Sequence, residues 1–182
     1  MSIQAKSPLT IVVLALALSL SCGNKDTGTA AGNPPATAPA PAPAPPAPLP
    51  PGISQDLARN SAAPFYNFDS LGPINYPATQ KGIQISGDTD FAASGWALDV
   101  SKKGVAGGVD VVIDNVPHAA RYGVPRTDVA SHFNRPDYAN AGFLLVIAKG
   151  QLSKGQHTLS VRVISSDKKS YNEGPVVSFT VN

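Results

Sequence analysis

Between Tyr122 and Phe143 the chain reads YGVPRTDVASHFNRPDYANAGF, and this stretch holds most of its chemically versatile side chains. Arg126 and Asp128 stand two apart, as do Arg135 and Asp137; His132 lies between them, with Tyr122 and Tyr138 outside. Forked guanidinium donors and aromatic rings with a polar tip are the groups that protein and saccharide contacts use. The candidate binding residues are therefore Tyr122, Arg126, Asp128, His132, Arg135 and Tyr138. Catalysis is not expected. No cysteine neighbours His132, and no G-x-S-x-G elbow occurs. Asp128 and Asp137 alone do not make a glycosidase without a cleft to set their pKa values apart. His118, His132 and His157 lie on separate segments without zinc-ligand spacing, and GDTD (residues 87–90) falls short of a calcium loop, so no metal or cofactor is expected.

The loop needs elements that hold it. Thr127 or Asp128 offers a side-chain oxygen to cap a short helix through DVASHF, and Asp137 suits a second cap or turn. Val129 and Phe133, four apart, share one face of that helix and would cover one end of a core. Arg126 and Arg135 would tie the loop down on Asp128, Asp137 or backbone carbonyls. Two readings stay open: a structural cap, or a recognition surface on a rigid scaffold.

On either side of the loop the apolar residues alternate. Ile83/Ile85, Val109/Val111/Ile113, Phe143/Leu145/Ile147, Leu159/Val161/Val163 and Val177/Phe179/Val181 each keep one parity. Period two at this regularity predicts strands with one buried face. Trp96, Leu98 and Val100 also share a parity, which puts Trp96 in the core; His157 reads as a half-exposed residue at a strand start. Asp114–Asn115 suits a two-residue hairpin, since both tolerate positive φ. The fold expected is all-β: an immunoglobulin-like β-sandwich of about seven strands, with one short helix in a long inter-strand loop.

Composition divides the rest of the chain. Ten of the eighteen prolines fall between Pro34 and Pro51, in PPATAPAPAPAPPAPLPP. Such a run cannot bury enough surface to offset its ordering entropy, and alternating Pro–Ala favours an extended rod of roughly 3.1 Å per residue. It reads as a spacer, with recognition by a proline-binding domain the sharper alternative. Three parts are expected: 1–21 a signal peptide, 22–60 a disordered Pro/Ala-rich spacer, and 61–182 the sandwich domain. From Ser61 onward 11 Lys/Arg face 10 Asp/Glu, interleaved, which leaves no basic footprint for nucleic acid.

At the N-terminus, Lys6 precedes the apolar run LTIVVLALALSL, about a dozen residues and too short for the roughly 20 that a membrane span needs. The run closes on the only cysteine, Cys22, in LSLSC. This resembles the bacterial lipoprotein signal, with Ser21 at the cut and Ser19 where the pattern usually has leucine. The resemblance implies lipidation of Cys22 with palmitate-type chains. It also implies an anchor in the bacterial cell envelope; Gly23, in place of aspartate after the cysteine, points to the outer membrane.

From about Gly87 to Val181 the pieces SGWALD, GGVDVVIDNVPHAARYG, RTDV, AGF and GQHTLSVRV occur in this order. Together they resemble a bacterial immunoglobulin-like module of cell-surface and cell-wall-associated proteins. Arg126-Thr127-Asp128 stands where that module usually has Arg-Pro-Asp, and Ala141-Gly142-Phe143 where it often has Ser-Gly-Phe. The resemblance implies display at the cell surface. The function expected is a lipid-anchored protein presenting a non-catalytic module to another envelope component. The alternative is a carbohydrate-binding module for cell-wall or surface glycans, with Tyr122 and Tyr138 as exposed sugar platforms.

Overall fold

The computed structural model describes residues 44–182. The expected signal peptide, Cys22 and the expected spacer up to residue 43 lie outside the described residues. Thirteen strands occur among those described, in the order β1 (Ala58–Asn60), β2 (Phe65–Leu71), β3 (Ile74–Asn75), β4 (Ile83–Ile85), β5 (Phe91–Asp99), β6 (Gly104–Val105) and β7 (Gly108–Ile113). They continue with β8 (Val116–Ala119), β9 (Arg121–Val124), helix α1 (Thr127–His132), β10 (Gly142–Ile147), β11 (Gly155–Ile164), β12 (Ser170–Glu173) and β13 (Val177–Val181). The count exceeds seven because several are edge pieces of two to four residues.

The long strands form two sheets. In one, β2, β5, β10 and β9 lie side by side; in the other, β4, β13, β11, β7 and β8 do so. Two sheets of this kind make an all-β, sandwich-like fold. The short strand β4 runs parallel to β13, while β5–β10 and β11–β7 are antiparallel. Asp114 and Asn115 make the hairpin between β7 and β8 with φ of 48° and 68°, the left-handed pair a type I′ turn needs.

The alternating residues meet between the sheets. Val109, Val111, Ile113, Phe143, Leu145, Ile147, Leu159, Val161, Val163, Phe179 and Val181 are all buried in one cluster. Strand β5 departs from the expected parity. Its core-facing positions are Phe91, Ala93, Gly95 and Ala97, while Trp96 and Leu98 belong to a second, smaller cluster with Val129, Tyr138 and Ala141. Trp96 is therefore not a residue of the main core. Gly95 has no room for a side chain between its neighbours in the same sheet: a Cβ there would lie 2.1 Å from the Asn67 carbonyl oxygen on β2 and 2.8 Å from the Phe143 ring on β10.

The segment expected as the end of the spacer is part of the domain. Leu49 packs against the main core, Pro51 bridges to His118 on β8, and β1 runs parallel to β12. Asp110 explains the docking. Its carboxylate, on the outer face of β7 and wholly buried, accepts the Ile53 N–H at 3.0 Å and the Ser54 N–H at 2.7 Å. A carboxylate removed from water needs such donors, and these come from 56 and 57 residues upstream. The contacts of the domain thus extend upstream of Ser61, at least to Ala47.

This strap sets the polarity of the sandwich. The Ala47 carbonyl accepts from Gln151 Nε2, in the connection between β10 and β11, so the chain comes in at that end. It climbs the outer face of the β7–β11 sheet to β1 and crosses over at residues 61–64 into β2. The β9–β10 insertion lies at the other end, against Trp96 and Leu98.

Candidate functional site

The insertion is built from three devices. The first is the Arg126 clamp. Its guanidinium grips Asp128 through Nε at 2.8 Å and Nη2 at 2.6 Å, while Nη1 reaches across to Asp69 on β2. Forked donors on planar carboxylates are the strong form of this contact. Hydrogen bonding from Arg126 holds the Asp128 carboxyl down to about 2, and the same contact raises Arg126 further above its usual range. The arginine crosses over Gly142, where a Cβ would sit 2.9 Å from Arg126 Cγ and 2.6 Å from the Val124 carbonyl oxygen.

The second device is Arg135. It holds Asp137 through Nε at 2.8 Å and Nη2 at 2.7 Å, and donates to the Lys103 carbonyl at 2.7 Å. Its guanidinium also lies 4.5 Å from the centre of the Tyr138 ring, a cation–π contact. The Asp137 carboxyl lies below its ordinary range, chiefly because Arg135 donates to it.

Third, an aromatic cluster seats α1 on the sheet. Phe65, Trp96 and Phe133 meet edge to face, with centroids 5.6 to 5.7 Å apart and planes inclined by 61° to 72°. Phe133 also meets Tyr138 at 6.0 Å and His132 at 4.8 Å. Such pairs contribute about 0.5–1.5 kcal/mol each beyond burial. Val129 is buried beneath them, so Val129 and Phe133 do share the inward side of α1.

The geometry changes several expectations. Neither Thr127 nor Asp128 caps the helix; Arg126 holds the cap position without a side-chain bond, and Asp128 inside the first turn is spent on Arg126. Asp137 likewise caps nothing, because it sits within the short turn Pro136–Tyr138, gripped by Arg135. Tyr122 is not a surface platform. It points between the sheets, donates to the Ala97 carbonyl at 2.7 Å and accepts the Ala106 N–H at 3.0 Å. Burial pushes its phenol up to about 12. Tyr138 is buried too, at 7% exposure. The two tyrosines on which the alternative, a sugar site, would rest are therefore turned inward. Among the six candidates, His132 and Asp128 are exposed, and Arg126 and Arg135 are engaged in clamps.

What remains open is a groove of about 340 Å³ between α1 and the outer face of β2 and β5. Asn67, Trp96, Asp128, Val129, His132 and Phe133 line it, and Phe65 stands beside it at 38% exposure. Sequence reasoning missed Asn67, Phe65 and Trp96 as members of this surface. The available signal was that SGWALD carries its large residues on one parity and small ones on the other.

A second polar arrangement also escaped the sequence. His157 is buried rather than half-exposed. Its Nδ1 meets Asp114 Oδ2 at 2.6 Å and its Nε2 the Ser153 carbonyl at 2.8 Å. Two acceptors on one imidazole call for two protons. Burial pulls its pKa down, but the bonds to Asp114 and Ser153 outweigh this and the net shift is upward. In the GDTD turn, Asp90 accepts the Lys149 N–H at 2.8 Å and the Asp88 N–H meets Ser86 Oγ at 3.3 Å. Among the described residues no three metal-ligating side chains converge.

Comparison with protein-family models and with curated proteins finds no match for this chain.

Proposed function

We propose that this chain is a lipid-anchored protein of a bacterial cell envelope that displays a non-catalytic immunoglobulin-like module for binding another envelope component. The supporting observation is the polarity of the domain. The proline-rich side of the chain joins the sandwich at the Gln151 end, and the clamped insertion with its groove lies at the Trp96 end. Strand β5, nine residues long, separates the two by about 30 Å. A stalk attached at one end and a rigid polar-and-aromatic loop at the other is the arrangement a presented binding surface requires.

The anchor is the second part of the proposal. Cys22 carries the lipid, and two or more acyl chains, at about 0.8 kcal/mol per buried CH₂, hold the protein at the outer membrane. The partner binds at the groove and α1, and Arg126 and Arg135 keep that surface in one shape. Photo-crosslinking in living cells from His132, which is exposed on α1, tests the binding role. Specific adducts from this position and none from Lys154, exposed at the opposite end, are expected; equal labelling from both ends defeats the reading. Labelled fatty acid incorporated into the wild type but not Cys22→Ser tests the anchor.

A further inference from the structure

Among the described residues, the buried Asp110 carboxylate hydrogen-bonds only to the strap, at the Ile53 and Ser54 N–H groups. The display role gives this arrangement no use. We infer that the strap is a latch that opens under tension on the stalk, lengthening the tether while the sandwich stays folded. This rests on the proposed anchor for the source of the tension, and goes beyond that reading by giving the module a mechanical response.

The strap is held by polar contacts more than by burial. Between residues 44 and 63 only Ser54 is buried, and Leu49, half-buried, is the one residue packed on the main core. Strand β1 is exposed at every position and pairs with β12 alone. Strand β2 differs, since its Phe68 and Leu71 belong to the main core. A segment that buries little apolar surface opens at a lower free energy than the core beside it. Opening also strands no charge. Asp110 sits on the outer face of β7, so its carboxylate meets water once the strap leaves.

The path of the chain sets the order of events. Tension from the stalk runs lengthwise along the strap and reaches the Gln151–Ala47 bond first. Next come the Pro51–His118 bridge and the Asp110 clamp. Gly52 lies flat on the sheet, where a Cβ would fall 2.5 Å from Pro117 Cβ. Opening stops at β2, which is paired to β5 from Phe65 to Leu71. At about 3.4 Å per residue, residues 47–64 make about 60 Å of chain. The closed strap spans about 30 Å, so the tether gains about 30 Å. Its attachment moves as well, from the Gln151 end to Phe65, which packs on Trp96 beside the groove. Tension between the stalk and a partner in the groove then passes through β2 and the insertion and bypasses the rest of the sandwich.

Stretching single molecules with optical tweezers tests this. Full-length protein with His132→Cys carries two thiols, the other being Cys22, the only natural cysteine. DNA handles on both pull the molecule from stalk to insertion. A reversible contour-length gain of about 30 Å is expected below the force at which the sandwich unfolds. Asp110→Ala should speed this opening about tenfold or more and leave the later unfolding unchanged. Gly52→Ala, which lifts the strap from Pro117 without touching Asp110, should do the same and serves if Asp110→Ala fails to fold. Release of the strap only together with the sandwich, or an early step that neither variant speeds, would overturn the inference. The handles stand in for the membrane, so a missing step sinks the latch alone. Absent lipid labelling would sink the anchor and leave a measured latch standing.

Discussion

Asp114 and His157, 43 residues apart in sequence, are joined at 2.6 Å, and the far side of the imidazole is held at 2.8 Å by the Ser153 carbonyl. The hairpin before β8 is thereby locked to the start of β11. Asp114 also accepts the Thr158 N–H at 2.9 Å. The net effect lowers the Asp114 carboxyl, since these bonds outweigh the upward push of burial.

The pair makes stability depend on pH in a defined direction. The folded pKa of His157 is raised, so its contribution is complete below the unfolded value of about 6.5 and is lost as pH climbs through the folded one. The folded pKa of Asp114 is lowered, so its contribution is complete above about 3.8 and is lost as pH falls through the folded value. Thermal unfolding should peak between these limits and decline toward pH 8. His157→Gln should flatten the alkaline side and cost about 1–2 kcal/mol at pH 5.5. A wild-type melting temperature flat from pH 5.5 to 8 would refute the charged pair.

Asp110→Ala should release the strap. The substitution strands the Ile53 and Ser54 N–H groups under the segment they anchor, and an orphaned buried donor costs about 1–3 kcal/mol. Limited proteolysis should then cut between residues 47 and 57, where the wild type resists. Asp110→Asn should rescue only partly, because one of its two side-chain heads is a donor facing a donor. Equal resistance in all three proteins would show that the strap is held by Leu49, the Pro51–His118 bridge and β1 without Asp110.

Tyr122→Phe removes a hydroxyl that joins Ala97 on β5 to Ala106, in the connection that leads into β7. Destabilisation of about 1–3 kcal/mol is expected in urea unfolding. The binding surface should be unaffected, since the ring points inward. Loss of partner crosslinking without loss of stability would instead return Tyr122 to the recognition surface.

How far the sequence disclosed these features follows from the range of the interactions involved. Val109, Val111 and Ile113 revealed their burial by alternation alone, because a strand's facing depends on its own period. Arg126–Asp128 and Arg135–Asp137 were legible at two-residue spacing. Trp96 misled because β5 is apolar on both faces, and only the insertion, more than thirty residues on, decides which face the indole joins. The strap was hidden for the same reason. Nothing near Leu49 to Asn60 announces order, since the groups that bind it are Asp110, His118 and β12. The burial of His157 likewise depends on Asp114 and cannot be read from GQHTL.

The clamp at Arg126 gives the sharpest test of whether the insertion's shape matters for binding. Its three nitrogens hold Asp128 on α1 and Asp69 on β2 together, while the backbone N–H of Arg126 donates to the Ala139 carbonyl at 2.6 Å. Lysine keeps the charge but is a point donor that cannot engage both carboxylates in fixed geometry. Arg126→Lys should therefore leave the main core intact, lower stability by about 1 kcal/mol, and speed amide exchange from Thr127 to Asn140. Crosslinking from His132 should fall in step with that loosening. Rapid exchange with undiminished crosslinking would mean that the partner orders the insertion itself and the clamp serves the fold alone.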